Sequence, residues 1–334
     1  MGGTGGAAKA AVTLEFVPGP VNVEDVARIP GTPWLVGSGM TSRSHPTGAL
    51  HLIDTAAMTW RRVAPDARRP RPDATYGEAP PPDPDAFDAH GVALRPGDDG
   101  VHTLYVVNHG GREAIEVFAV DARGEAPELT WVGGVLQDEN VWGNACAPLP
   151  DGGIVATNYL DLTDAEAFDK VYAGRVTGNL KEWHAGEGWI DVPGSEMSAP
   201  NGVEASSDGA WLFANSWAAR KVIRVARPGR PAARAEVDVD LLPDNVKWGA
   251  DGRLLIAGHR SVPADVFAAF NDGDIANVPW TVIRVDPESL AVEEVARVDH
   301  ETFGCVATGL DVGDDLWVAS PRSDRVGVLR GLGA

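Results

Sequence analysis

The sequence has few cysteines, a deficit of basic residues and no long apolar run, and each absence excludes a class of protein. Its two cysteines, Cys146 and Cys305, lie far apart and form no Cys-x-x-Cys motif. Neither a disulfide-rich fold nor a zinc–thiolate site is therefore predicted. Lysine and arginine number 28 against 48 aspartates and glutamates, which gives a formal net charge of −20. This charge argues against nucleic acid and anionic membrane surfaces as partners, because both are negative.

No apolar run approaches the roughly 20 residues that cross a bilayer. The glycine- and alanine-rich start also lacks the apolar segment of a secretory signal. We therefore expect a cytoplasmic protein in which residues 1–12 form a disordered tail. Residues 13–334 are expected to form one domain, since a hydrophobic content of 44% can supply a large core.

The main pattern in the sequence is one strand that recurs six times, each time followed by a second strand. The first strands are WLVGSG, TLYVVNH, GIVATNY, AWLFANS, RLLIAGH and LWVASPR. The second strands are GALHLID, AIEVFAVD, AGRVTG, KVIRVA, TVIRVD and RVGVLR. Repeats spaced on the order of 40–70 residues apart are typical of four-stranded propeller blades with loops of different lengths. The sequence therefore predicts an all-β fold, a six-bladed β-propeller.

Two segments between blades depart from the strand pattern. Residues 165–170 and 264–270 are expected to form short helical insertions over one face of the propeller. The segment 65–85, rich in proline and aspartate, is expected to be a long surface loop.

Polar residues recur at one position relative to the repeated strands. The segments PNGVEASSDGAWLFAN and PDNVKWGADGRLLIAG align without a gap, so that Asn201 matches Asp244. Asn144 stands in the same relation to the next strand, and counting back from the first blade's strand places Glu24 at the equivalent point. Since blades are related by rotation about a central axis, these side chains should converge on that axis.

The converging side chains form a set of oxygen donors. Two carboxylates and two amides, with Asn245 as a fifth donor, suit Ca²⁺ better than Zn²⁺, which prefers nitrogen and sulfur. The alternative is that Asn-Gly and Asp-Asn are ordinary turn sequences. Recurrence at one spacing in four blades favours the metal site.

Several motifs recur in a fixed order between residues 22 and 329. They are VED at Glu24, HGV at His90, LYVVNH ending at His109, GNACAPLPDGGIVATN, APNGVEASSDG, LPDNVKWGADGRLLIAGH ending at His259, and GDDLWVASPRSDRVGVL. In this order and spacing they resemble the paraoxonase/arylesterase branch of the six-bladed calcium-dependent hydrolases, a group that includes gluconolactonase-like proteins.

The resemblance implies roles for individual residues. His90 matches the general base that deprotonates a water molecule, and His109 matches the partner that relays or orients that proton. His259 matches a further histidine near the substrate pocket. The resemblance implies one catalytic calcium ion with five ligands, which here are Glu24, Asn144, Asn201, Asp244 and Asn245.

The chain departs from the family pattern at two positions. The family's second, structural calcium ion would use Asp25 and the carbonyl of Val92, but Ala145 replaces its further aspartate. Because a hard cation needs that carboxylate, we expect one ion rather than two. The acidic residue that supports the second histidine is replaced by Tyr159, which predicts a dyad without its orienting carboxylate and places Tyr159 in the substrate pocket.

These residues predict a calcium-dependent hydrolase of a small lactone or aryl ester, in which the metal polarises the carbonyl group and His90 activates water. A metal-dependent lyase, isomerase or phosphotriesterase on the same scaffold is one alternative, and a non-catalytic propeller that serves as a binding platform is another. Four tryptophans lie where they could form the pocket walls or pack between blades: Trp183, Trp189, Trp217 and Trp280.

Overall fold

The strands are short runs rich in branched aliphatic residues, separated by turns with glycine, proline and aspartate, a composition that favours β-structure. The computed structural model describes residues 13–63, 70–272 and 278–333. In these residues the strands form six four-stranded antiparallel sheets. The innermost strand of each sheet contacts the innermost strand of the next, so the sheets close into a ring. The predicted all-β six-bladed propeller is confirmed, whereas the predicted tail at 1–12 lies outside the described residues.

The first strand, β1 (Leu14–Pro18), belongs to the last blade, and the next three blades follow in chain order from the axis outwards. Blade one contains β2 (Val23–Arg28), β3 (Trp34–Gly39), β4 (Ala49–Asp54) and β5 (Thr59–Val63). Blade two contains β6 (Ala89–Arg95), β7 (Val101–Asn108), β8 (Ala114–Asp121) and β9 (Glu128–Leu136). Blade three contains β10 (Val141–Pro148), β11 (Ile154–Asp161), β12 (Asn179–His184) and β13 (Gly188–Asp191).

The remaining blades repeat this arrangement, and the last one joins the two ends of the described chain. Blade four contains β14 (Pro200–Ala205), β15 (Trp211–Ser216), β16 (Lys221–Ala226) and β17 (Arg234–Asp238). Blade five contains β18 (Leu242–Trp248), β19 (Leu254–His259), β20 (Trp280–Val285) and β21 (Val292–Val298). Blade six contains β22 (Thr308–Val312), β23 (Asp315–Ala319) and β24 (Arg325–Leu329), with β1 paired to β24 as its outermost strand.

One predicted strand is wrong. The repeat predicts the second strand of the third blade at residues 173–178, but the strand that pairs with β11 is β12, which begins at Asn179. The side chain of Val176 is 57% exposed, whereas Leu180 of β12 is fully buried. The isolated apolar residue therefore has no core to pack against, and the segment connects an inserted helix to the sheet.

Both predicted helical insertions are present, with bounds shifted by a few residues. They are α1 (Ala167–Tyr172) and α2 (Pro263–Asp272), which contact each other. Neither they nor any other helix that the structure describes is long and apolar enough to cross a membrane. Of the predicted loop at 65–85, the described part begins at residue 70 and contains one short 3₁₀ helix, Ala74–Tyr76, whose tyrosine is buried.

Candidate active site

A β-bulge recurs at the same point of five innermost strands and holds the predicted site residues. In blade one, Glu24 and Asp25 together lie opposite the single residue Ser38 of β3, because Val23 pairs with Gly39 and Val26 with Gly37. A bulge of this kind bends the strand and turns a side chain out of the regular alternation. The same register shift occurs at His90–Gly91, Asn144–Ala145, Asn201–Gly202 and Asp244–Asn245.

Two glycines in these bulges are required by the close approach of neighbouring blades. A Cβ on Gly91 would lie 2.6 Å from the carbonyl oxygen of Asn144, and one on Gly202 would lie 2.5 Å from the backbone nitrogen of Val246. Asn201-Gly202 is therefore part of an innermost strand and not a hairpin turn. The glycine allows adjacent innermost strands to approach, which brings the preceding side chains towards one another.

The first residues of the five bulges lie on the wall of one cavity of 260 Å³. His259 and Tyr159, both predicted to lie in the pocket, also line it. Asn245 donates a hydrogen bond from Nδ2 to Oε1 of Glu24 at 2.6 Å. The four residues that share one spacing from the next strand therefore lie together at one end of the central channel of the propeller, and His90 lies with them. The five residues are Glu24, His90, Asn144, Asn201 and Asp244.

Three oxygen atoms of this group are buried without a hydrogen-bond partner among the described residues: Oε2 of Glu24 and the Oδ1 atoms of Asn144 and Asn201. Burial raises the pKa of Glu24 well above its usual value, and the nearby carboxylates of Asp25 and Asp244 raise it further. Burial likewise raises the pKa of Asp244. Unpartnered oxygens and buried like charges both cost free energy, and a hard divalent cation would satisfy both.

The donor set therefore fits a calcium-like ion, although it is poor in charged ligands. Within the described ranges, no group of three or more His, Cys, Asp and Glu side chains is arranged to hold a metal ion. The candidate set contains two carboxylates, Glu24 and Asp244, and its remaining donors are amides. Amide oxygens are ordinary ligands for calcium but poor ones for zinc or copper.

His90 and His109 are hydrogen-bonded to each other, and a carboxylate continues the chain. Nδ1 of His90 lies 2.8 Å from Nε2 of His109, and Nδ1 of His109 lies 2.8 Å from Oε1 of Glu113. The Glu113 carboxylate accepts a hydrogen bond from the N–H group at His109 Nδ1. His109 Nε2 therefore carries a lone pair and accepts a hydrogen bond from the N–H group at His90 Nδ1. The lone pair of His90 Nε2 then faces the cavity, where Asn144 Nδ2 lies 3.2 Å away.

Glu113 corrects the prediction that the dyad has no orienting carboxylate. The residue predicted to stand in place of an acid, Tyr159, makes no such contact, but Glu113 approaches His109 from the connection between β7 and β8. In the sequence, Glu113 is distinguished only by its position four residues after His109. This spacing brings the two side chains together only because the connection between β7 and β8 is tight. Tyr159 instead packs between Trp142 and Trp217 in the cavity wall, with ring centroids 6.2 and 6.4 Å away.

The two groups predicted to bind a second metal ion lie close together. They are the Asp25 carboxylate and the Val92 carbonyl, and both accept a hydrogen bond from the ammonium group of Lys247. Nζ of Lys247 lies 2.7 Å from Oδ2 of Asp25 and 2.8 Å from the carbonyl oxygen of Val92. The sequence interpretation did not single out Lys247. Burial opposes its charge, but Asp25 and Glu204 outweigh this effect and raise the pKa of its ammonium group.

His259 lies deep in the cavity wall and is held by side chains on several sides. Its Nε2 lies 3.4 Å from Oδ2 of Asp244 and 3.4 Å from Sγ of Cys305, and Trp217 Nε1 lies 3.4 Å from its Nδ1. Burial lowers the pKa of His259 to about 4. Neutral His259 therefore orients Asp244 rather than neutralising it.

Aromatic side chains form the upper walls of the cavity, and most of them are not the ones predicted. Of the four candidate tryptophans, Trp217 alone lines it, together with Trp142, which the sequence did not indicate. Trp183 and Trp189 pack in or against a core between blades, and Trp280 is fully buried in another. From α2, Val266, Phe267 and Phe270 also line the cavity.

One cation stands at the rim of this aromatic wall. The guanidinium of Arg322 lies 4.6 Å from the centre of the Phe270 ring, and its Nη1 donates to the carbonyl oxygen of Thr41 at 3.1 Å. These contacts fix α2 against the loop that follows β23. The helix therefore forms a roof over the channel mouth, as expected for a helical insertion on this face.

The chain matches no protein-family model and no curated protein. Solved structures share its fold over almost its whole length at low identity. A luciferin-regenerating enzyme has a TM-score of 0.59 at 15% identity and covers 97% of this chain and 96% of its own. A candidate gluconolactonase has a TM-score of 0.57 at 12% identity, covering 96% and 93%. Regucalcin from Agrobacterium tumefaciens, a calcium-binding protein, has a TM-score of 0.54 at 14% identity, covering 95% and 92%.

These similarities show the fold, a six-bladed propeller of the kind found in gluconolactonase-like proteins and regucalcin. An aldose sugar dehydrogenase from Streptomyces coelicolor shares it as well. Since one fold carries unrelated reactions, the reaction has to be argued from the site. The closer resemblance to the paraoxonase/arylesterase branch stays a prediction.

Proposed function

We propose that the protein is a calcium-dependent hydrolase of a small lactone or aryl ester. The observation that carries this proposal is the hydrogen-bonded chain from Glu113 through His109 to His90, which ends beside three buried oxygens that have no hydrogen-bond partner in the described part of the chain. A binding platform has no use for a base oriented in this way. Buried polar groups without partners persist where a ligand or a reaction uses them.

His90 is the general base. Its Nε2 faces the cavity, 3.8 Å from Oε1 of Glu24, so a water molecule beside Glu24 lies within reach of the lone pair. Burial lowers the pKa of His90 well below its ordinary value, and the neighbouring His109 ring and the Arg322 guanidinium lower it further. The ring is therefore neutral and able to accept a proton at neutral pH.

His109 and Glu113 position the base and stabilise its protonated form. When His90 takes a proton at Nε2, its Nδ1–H bond to His109 connects it to Glu113, whose carboxylate balances the new positive charge. Removal of such an orienting carboxylate typically lowers activity without moving the base itself. Glu113 does not touch the substrate cavity and is a positioning residue.

The cation would be held by Glu24, Asn144, Asn201 and Asp244, with Asn245 bonded to Glu24. When bound there, it supplies Lewis-acid polarisation of the substrate carbonyl. The protein's own contribution is a fixed set of oxygens, oriented by the bulges, and a wall of Trp142, Tyr159 and Trp217 that excludes water. The cavity of 260 Å³ and its aromatic lining suit a small, apolar substrate.

A panel of lactones, aryl esters and phosphotriesters, assayed with and without a calcium chelator, tests this function. We expect hydrolysis of at least one lactone or aryl ester, its loss in chelator and its recovery with added calcium. His90→Gln should lower kcat by about 10² to 10⁴-fold. His184→Gln is the matched control, because His184 lies away from the cavity in β12 and should leave kcat unchanged.

Three results would count against the proposal. Activity that survives chelation removes the metal role, and an unchanged kcat in His90→Gln removes the base. Turnover of phosphotriesters alone would assign the same residues to phosphoryl chemistry instead.

A further inference from the structure

The ammonium group of Lys247 contacts both atoms that a second metal ion would use. Lys247 belongs to β18, Asp25 to β2 and Val92 to β6, so one side chain joins three innermost strands from different blades. Its Nζ lies 2.7 Å from the Asp25 carboxylate and 2.8 Å from the Val92 carbonyl oxygen.

The Asp25 carboxylate has no capacity left for another cation. Its Oδ1 accepts hydrogen bonds from the backbone nitrogen of Val26 and from Oγ1 of Thr308, both at 2.8 Å. Its Oδ2 accepts from the backbone nitrogen of Val92 at 2.8 Å as well as from Lys247. Four donors saturate the two oxygens of a carboxylate.

Charge and space both exclude a divalent ion from this position. Calcium would need oxygens at about 2.3–2.6 Å, on the side of Asp25 and Val92 where the ammonium group lies. The resemblance assigns the further carboxylate of such a site to position 145, where Ala145 offers neither charge nor ligand. An ion there would lie against the ammonium group of Lys247, whose charge is already paired with the Asp25 carboxylate.

We propose that Lys247 is a permanent internal cation that replaces the second metal ion of the channel. The contacts of Lys247 that connect blades one, two and five are then present at any calcium concentration. Calcium is needed only at the site that contains Glu24. This role of Lys247 does not depend on which reaction takes place at Glu24.

Calcium content and thermal unfolding, measured on the whole protein, test the replacement. After equilibrium dialysis against excess calcium, wild type and Asp25→Asn should hold the same number of calcium ions per chain. Lys247→Met keeps most of the side-chain volume but leaves Asp25 buried and unpaired, so in chelator its Tm should fall by about 10 °C. Added calcium should not restore this loss, because the methionine side chain fills the space and Ala145 supplies no carboxylate.

The controls separate charge from packing. Lys221→Met removes a partly exposed lysine that pairs with Glu236 and should shift Tm by at most about 2 °C. If Lys247→Met does not fold, Lys247→Met combined with Asp25→Asn removes both charges and should recover a folded protein that gains no calcium. The proposal is overturned if wild type holds one more calcium ion than Asp25→Asn, or if Lys247→Met keeps the wild-type Tm in chelator.

Discussion

Glu24 and Asp25 are neighbours in one bulge, and both are almost fully buried, yet their surroundings are opposite. Asp25 accepts four hydrogen bonds, one of them from Lys247. Glu24 accepts one short bond, from Asn245, and its Oε2 has no partner among the described residues. Burial and the two nearby carboxylates raise the pKa of Glu24 well above its usual value.

The contrast separates a structural carboxylate from a functional one. A buried charge that is fully paired holds its surroundings together, and removing one partner costs much stability. A buried carboxylate that is left unpartnered lowers the stability of the free protein and is retained for a ligand. The bulge places these two kinds of group side by side because it points successive residues to different depths of the channel.

The largest expected effect is loss of function from Glu24→Gln. This change removes a charged donor at the proposed calcium site, so calcium affinity and kcat should each fall by about 10³-fold or more. Its Tm in chelator should stay constant or rise, because a buried carboxylate with only one hydrogen-bonded oxygen is replaced by a neutral amide. Isothermal titration with calcium and thermal unfolding check both halves, and a large loss of Tm would assign Glu24 a structural role instead.

Asp25→Asn should show the reverse pattern. It leaves the ammonium group of Lys247 buried beside a neutral amide, so the free energy of unfolding should fall by about 3–5 kcal/mol. The calcium affinity of the site at Glu24 should change by less than about tenfold, because Asp25 acts on that site only through its electrostatic interaction with Glu24. Urea unfolding in chelator gives the first quantity. A calcium affinity reduced as strongly as in Glu24→Gln would remove the distinction between the two neighbours.

Glu113→Gln should lower kcat by about 10 to 100-fold with little change in KM, because it alters the orientation of His109 but not the cavity. The introduced amide would still donate or accept one hydrogen bond, so the fold and Tm should be preserved. Glu139→Gln, at an exposed residue on the β9–β10 connection, is the control. Equal kinetics in Glu113→Gln and wild type would show that His109 is not part of a relay.

The smallest expected effect is a displaced pH dependence. Because the pKa of His90 is lowered by burial, the acid limb of kcat/KM should lie below the ordinary histidine value of about 6.5. The unfolded chain takes up protons below that value. In the folded chain His90 stays neutral, as do the buried His51 and His259, whose pKa values are lowered to about 4. Stability should therefore decrease from about pH 6.5 towards about pH 4. A limb above about 6.5 would contradict the assignment of His90 as the buried base.

The spacing of polar residues along the chain predicts the bulge positions for a physical reason. A rotationally repeated blade places equivalent residues at one depth, so a shared distance to the next strand is enough to group Glu24, Asn144, Asn201 and Asp244. The same shared distance also indicates that Asn201-Gly202 is not an ordinary turn. Position 202 requires glycine because the backbone of β18 lies directly beside it, and only the structure shows this contact.

Side chains outside the repeat were missed or misplaced. Glu113, Lys247 and Trp142 do not repeat from blade to blade, and each reaches its partner across a turn or between blades. The strand expected at residues 173–178 failed because one valine suggested a buried strand where the chain is still returning from α1.

The sequence by itself determined the six blades and the first residue of four of the five site bulges, because both follow from periodic patterns along the chain. Only the tertiary structure decided which of two adjacent carboxylates is paired, which acid supports the histidines and which cation holds the axis. Those contacts depend on how the connections fold back and on distances across the channel, and no local pattern encodes either.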